Sequence, residues 1–85
     1  MKLPRDISGA DLLRALGRLG YQLVRQKGSH ACATTLVAGE HHVTVPMHNP
    51  IKIGTLNSIL KDVGEHHGLA RNELLEQLFS RTKSG

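Results

Sequence analysis

Residues 21–46 read YQLVRQKGSHACATTLVAGEHHVTVP. Tyr21, Leu23 and Arg25 alternate with Gln22, Val24 and Gln26, which is the two-residue period of a strand. Gly28-Ser29 fits a two-residue hairpin turn with glycine first, so Lys27 and His30 become the first facing pair across a hairpin. Side-chain alternation then places the rest. Tyr21, Leu23, Cys32, Thr34 and Leu36 are expected on the face of Lys27 and His30. A second turn near residues 38–40, read as two residues long, leads to a third strand over about 41–46. It brings Val43 and Val45 onto the face of Leu36 and Cys32, the expected apolar face. The opposite face then carries Gln22, Gln26, Thr35, His42 and Thr44, with the small Ala31 and Ala33.

The flanking sequence changes to a helical period. Ser8 reads as a helix N-cap, and Asp11 three residues on gives its carboxylate to the first turn. Leu12, Leu16 and Leu19, supported by Leu13, form an apolar stripe, and Gly20 suits the residue that ends the helix. The first helix is expected over about 9–19, after a short basic lead-in. On the other side, Pro46, Asn49 and Pro50 break the strand pattern into a loop. A second helix over about 55–63 uses Ile53, Leu56, Leu60 and Val63 and ends at Gly64. His66-His67-Gly68 reads as a linker, and a last helix covers about 71–79 with Leu74, Leu75, Leu78 and Phe79 on its apolar side. Residues 80–85 read as a frayed polar tail. The fold class is α+β. The order α-β-β-β-α with an additional C-terminal helix is the topology of a double-stranded-RNA-binding-like fold, a three-stranded antiparallel sheet whose buried face needs helices to cover it. We expect one domain over 1–85 with its core within about 8–79.

Composition narrows the partners. With 85 residues, a chain buries roughly 60% of its unfolded surface, which leaves little room for an enclosed cofactor pocket. No run of 18 apolar residues and no apolar leader with a cleavage site stand in the sequence, so neither a membrane span nor a signal peptide is expected. Cys32 is the single cysteine, which rules out an internal disulfide and points to a reducing compartment, the cytoplasm. Eleven Lys and Arg against seven Asp and Glu give a net charge of +4. That basic balance favours an anionic partner, whether RNA, DNA, a membrane surface or an acidic protein. With one Tyr, one Phe and no Trp, the chain cannot build a broad stacking platform, so nucleic acid would be held mainly through phosphate and shape.

Lys27-Gly28-Ser29-His30 is the stretch most suited to chemistry. RNA carries its own nucleophile in the 2′-hydroxyl. An enzyme must take up that proton, steady charge on phosphorus and protonate the leaving 5′-oxygen. An imidazole moves protons near neutral pH, a lysine stabilises developing charge, and glycine lets a phosphate approach the backbone. The same four residues also read as an ordinary turn with a strand-edge histidine.

A wider set of motifs extends this. Gly20-Tyr21, the block Arg25-Gln26-Lys27-Gly28-Ser29-His30, the segment Val43-Thr44-Val45-Pro46-Met47-His48 and the run Lys52-Ile53-Gly54-Thr55-Leu56-Asn57-Ser58-Ile59-Leu60 stand in the order and spacing of the HicA toxins. The chain resembles that family over about residues 8–64. The resemblance implies a double-stranded-RNA-binding-like fold, endoribonucleolytic cleavage of messenger RNA with His30 as the essential residue, and neutralisation by a HicB-type antitoxin in a hetero-oligomer. Ala31-Cys32-Ala33-Thr34 departs from the aromatic and basic residues that often follow the Gly-Ser-His of the family. RNA contacts are assigned to Lys27, Gly28, Ser29, His48 and Lys52. His48 reads either as a phosphate contact or second proton carrier, or as a loop histidine capping backbone groups. Lys52 and Thr55, at the start of the second helix, read as phosphate contacts or as solvated surface.

No metal and no cofactor are expected. His41 and His42 are adjacent on a strand and point to opposite faces, and the chain lacks the spacing of a zinc site. Cys32 reads as a small core residue. The leucines of the last helix pack on the domain or dock a partner. Two other functions fit the composition: a non-catalytic duplex-RNA-binding module, and a protein-interaction domain serving an acidic partner.

Overall fold

The computed structural model describes residues 3–80. Helix α1 (Gly9–Leu16) runs into a 3-10 turn over Gly17–Leu19. Strands β1 (Gln22–Lys27), β2 (His30–Thr35) and β3 (His41–Pro46) follow, then helices α2 (Ile53–His67) and α3 (Arg71–Phe79). The sheet is antiparallel in the order β1-β2-β3. The expected α-β-β-β-α order with an added helix is the observed one. No helix among the described residues is long and apolar enough to cross a membrane. Of the expected polar tail over 80–85, Ser80 is the C-cap of α3 and residues 81–85 lie outside the described residues.

Helix α1 starts where the sequence places it. The Ser8 hydroxyl accepts from the Asp11 N–H at 3.0 Å, and the Asp11 carboxylate accepts from the Ser8 N–H at 3.1 Å. These two bonds satisfy donors the helix cannot use itself. The Ser8 N–H acts most strongly in holding the Asp11 carboxyl below its usual range. Leu12 and Leu16 are buried, while Leu13 and Leu19 pack at the margin of the core. The α-helical part ends at Leu16, earlier than expected, and the tighter turn carries the chain to Gly20.

The Gly28-Ser29 turn joins β1 to β2 with Lys27 opposite His30. Gly28 has φ +59° and Ser29 is not in the left-handed region, which is the pattern of a turn with glycine at its first corner. Cys32 and Thr34 share the face of Lys27 and His30, as expected, but that face is open to solvent. The buried side chains of β2 are Ala31, Ala33 and Thr35. The cause is the second connection. Thr35 pairs with His41, so residues 36–40 form a loop of five where a turn of two was expected. A difference of three residues is odd, and an odd shift exchanges the two faces of a strand. Ala31 therefore faces Val45, and Ala33 faces Val43, all four in the core. Leu36 lies in the loop, 77% exposed.

A β-bulge corrects the reading of β1. Leu23 pairs with Ala33, yet Arg25 pairs with Cys32, so one extra residue, Val24, is accommodated between them. The bulge turns the following residues over. Leu23 stands on the helix side, while Arg25 and Lys27 stand on the solvent side with Cys32 and His30. Strand β1 is the outer strand, and all six of its residues are exposed, Leu23 among them.

Helix α2 is longer at both ends than its apolar stripe suggested, and at its C-terminal end Gly64 lies inside it. A Cβ at Gly64 would stand 3.2 Å from the Leu69 carbonyl oxygen, so this glycine permits close packing and does not stop the helix. The stop is Gly68, with φ +67°. Its N–H donates to the Glu65 carbonyl and the Leu69 N–H to the Gly64 carbonyl, the paired bonds of a Schellman end. His66 and His67 thus belong to the last turn of α2 and not to a linker. Ile53 is exposed, and Ile59 joins Leu56, Leu60 and Val63 in the core.

Helix α3 buries Leu74, Leu75 and Leu78, so its leucines pack on the domain. The Ala70 N–H donates to Glu73 Oε1 at 2.9 Å at its start. The Arg18 guanidinium donates to the Ser80 carbonyl at 2.9 Å and the Gln77 carbonyl at 3.5 Å at its end. A cation at the C-terminal carbonyls also opposes the helix dipole favourably. These bonds join the 3-10 turn that follows α1 to the end of α3.

Candidate functional site

His30 opens β2 and Pro46 closes β3, and the two are cross-strand partners. The chain leaves the sheet there. The Met47 N–H donates to the Ser29 carbonyl at 2.6 Å, the Gly9 N–H to the His48 carbonyl at 2.9 Å, and the Ile51 N–H to the Ile7 carbonyl at 2.8 Å. Three backbone bonds therefore hold the segment carrying His48 between the hairpin turn and the start of α1. Gly9 permits the close approach, since a Cβ there would stand 2.5 Å from the Pro46 carbonyl oxygen. The Asn49-Pro50 peptide is cis. Lys52 follows as the N-cap of α2, in extended conformation and without a side-chain cap.

The result is an open cleft of about 370 Å³ lined by His30, Thr44, Pro46, His48, Lys52 and Thr55. It gathers two imidazoles, an ammonium and two hydroxyls, and no carboxylate lines it. The first turn of α2 contains no acidic residue, and its backbone N–H groups give that end positive polarity. The arrangement suits an oxyanion with groups able to move protons beside it.

The structure brings together four of the residues singled out from sequence, His30, His48, Lys52 and Thr55. It does not bring Lys27, Gly28 and Ser29 into the cleft. Lys27 faces His30 from the neighbouring strand, Gly28 forms the turn, and the Ser29 carbonyl is engaged by Met47. Thr44 was not singled out from sequence. It lies two residues before the partner of His30, on the same face, a relation visible only once the β2–β3 register is known.

The remaining histidines gather elsewhere. His41 and His42 do point to opposite faces. His42 accepts from the Thr34 hydroxyl at Nδ1, 2.7 Å away, and its Nε2 lies 2.9 Å from Glu40. His41 turns toward α2, where its ring stacks on His66 at 4.4 Å. Its Nε2 is 3.3 Å from Asp62 and its Nδ1 is 2.7 Å from the Tyr21 hydroxyl, which also lies 3.1 Å from His67 Nε2. Carboxylates only accept, so one consistent directional chain results. His67 Nε2–H donates to Tyr21, Tyr21 donates to His41 Nδ1, and His41 Nε2–H donates to Asp62. Burial, reinforced by the Asp62 charge, pushes the Tyr21 hydroxyl up to about 12. Burial and then the neighbouring His66 and His41 hold the His67 imidazole below its ordinary value. His66 Nε2–H donates to the Val37 and Gly39 carbonyls, each at 3.0 Å, and ties down the β2–β3 loop. Among the described residues no group of three or more His, Cys, Asp or Glu is placed to hold a metal ion. Cys32 is half-buried on the solvent face, 3.9 Å from the Thr44 hydroxyl, and is not in the core.

Residues 9–65 match the family model described as the HicA toxin of bacterial toxin-antitoxin. Comparison with curated proteins and with solved structures gave no match.

Proposed function

The chain belongs to the HicA toxin family of bacterial toxin–antitoxin systems, and from that premise we propose that it is a metal-independent endoribonuclease that cuts messenger RNA in the cytoplasm. The observation that carries the reading is the cleft in which His30 meets His48, Lys52, Thr44 and Thr55 with no carboxylate present. His30 transfers the proton in the cleavage step. The 2′-oxygen of the substrate attacks the adjacent phosphorus and loses its proton to one imidazole. The O2′–P bond forms as the P–O5′ bond breaks, and the leaving 5′-oxygen takes a proton from an acid in the cleft. The products are a 2′,3′-cyclic phosphate and a 5′-hydroxyl. In this reading His48 serves as the second proton carrier, and the Lys52 ammonium and the start of α2 stabilise charge on the phosphoryl oxygens. A hard divalent cation would find no carboxylate ligand in the cleft.

A HicB-type antitoxin is the neutralising partner, in a toxin–antitoxin hetero-oligomer, and the net charge of +4 suits an acidic surface on it. The test is cleavage of an end-labelled single-stranded RNA in excess EDTA. The wild-type protein is expected to cleave, and His30→Ala to lose roughly 100- to 10,000-fold in rate. Cleavage by His30→Ala at the wild-type rate would remove His30 from the reaction. A wild-type activity abolished by EDTA would replace the proton-transfer scheme with a metal-dependent one.

A further inference from the structure

We propose that the solvent face of the sheet next to the His30 cleft binds the RNA chain flanking the scissile phosphate, with Arg25 as its phosphate contact. This deepens the ribonuclease reading and rests on it. A second concavity, of about 420 Å³, lies on that face and is lined by Val24, Arg25, Cys32, Thr34, His42, Val43 and Thr44. Thr44 lines the His30 cleft as well, so the two hollows adjoin and a chain seated in one continues into the other.

The β1 bulge is the feature that makes this face cationic. Without the extra residue at Val24, Arg25 would remain on the face of Leu23. With it, Arg25 pairs with Cys32 and Lys27 with His30. Bulges occur often beside active sites, where they re-aim a side chain. Neither cation forms an ion pair among the described residues, and no carboxylate lines either hollow. Glu40, just before β3, is engaged by His42. The Thr34 and Thr44 hydroxyls offer hydrogen bonds to ribose or base edges, and Val24, 63% exposed, offers an apolar surface. Along β2 the rise of about 3.3 Å per residue places Thr34 about 13 Å from His30. The face therefore reaches beyond the reacting bond and contacts substrate that undergoes no chemistry.

The experiment is steady-state cleavage of an oligoribonucleotide by wild type, Arg25→Glu and the charge-matched control Lys61→Glu, at several salt concentrations. Lys61 is exposed on α2 and lines only the groove between α2 and α3. Arg25→Glu is expected to raise KM about tenfold with kcat within about threefold. It should also make the salt dependence of kcat/KM shallower, by about 0.7 in the log–log slope for one lost phosphate contact to a single strand. Lys61→Glu should leave both near wild type. Equal effects from the two variants would overturn the inference, because net charge alone would then explain them. So would an unchanged KM in Arg25→Glu. Absence of cleavage by the wild type would overturn the ribonuclease reading itself, whereas wild-type cleavage with no Arg25 effect removes only this subsite. Both positions are exposed, and a melting curve for each variant verifies that it folds.

Discussion

Thr35 is the one polar side chain that the sheet carries fully into the core, 1% exposed. Its hydroxyl donates to the Leu19 carbonyl at 2.9 Å and accepts from the Val37 N–H at 3.1 Å. One side chain thus fastens the end of the first helical segment to the start of the β2–β3 loop. A buried hydroxyl with both roles filled is stable, but removing it leaves a buried carbonyl and an N–H unpaired. Thr35→Val keeps the shape and loses both bonds. We expect it to cost about 1–3 kcal/mol, which for a domain of this size lowers Tm by roughly 4–8 °C per kcal/mol. Thr35→Ser retains the hydroxyl and should lose clearly less in the same thermal melt. Equal losses would mean that the methyl packing, and not the hydrogen bonds, holds this junction.

At the scale of elements, what the sequence made legible was whatever depended on neighbours a few residues apart. The Ser8–Asp11 cap, the leucines of α1 and α3, the Gly28-Ser29 turn and the Lys27–His30 pair are all local, and each stands where its pattern placed it. The face of β2 was misread because it depends on a loop. Residues 36–40 carry no turn signature that separates two residues from five, and the odd difference sent Cys32 and Thr34 outward. Gly64 was misread as a stop because a glycine chosen for close packing and one chosen for a left-handed end look alike in sequence. The cleft itself was legible in part. His30, His48, Lys52 and Thr55 were singled out separately, but their convergence with Thr44 rests on the β2–β3 register and on backbone bonds between distant segments. The true end of α2 gives a direct prediction. Gly68→Ala forces a side chain into a left-handed conformation, at a cost of about 1–2 kcal/mol, measurable as a shift in the urea midpoint. A variant as stable as wild type would show that the α2 end does not need this conformation.

For the whole molecule, the chain from His67 through Tyr21 and His41 to Asp62 links the entry to β1, the start of β3 and α2 through hydrogen bonds. The His67 imidazole is held below its ordinary value by burial and by His66 and His41. The folded protein therefore takes up this proton less readily than the unfolded chain. Its contribution to stability is present above the unfolded value, near 6.5, and is lost as pH falls below it toward the folded value. Tyr21, raised from 10.0 to about 12, gives the opposite limb, with stability falling as pH rises between those values. Thermal melts across pH 5 to 8 should show Tm falling on the acid side, and His67→Gln should flatten that fall. A slope unchanged by the substitution would place the sensitivity elsewhere. The way the core closes has a consequence in time. Every residue lining the His30 cleft lies between 30 and 55, whereas the bonds from Arg18 to the end of α3 wait for Gln77 and Ser80. At a synthesis rate of roughly 5–20 residues per second, the cleft residues are made about 1–5 s before Ser80. On the ribosome, every residue of the cleft, His30 among them, is therefore joined to the chain before the helix that completes their scaffold.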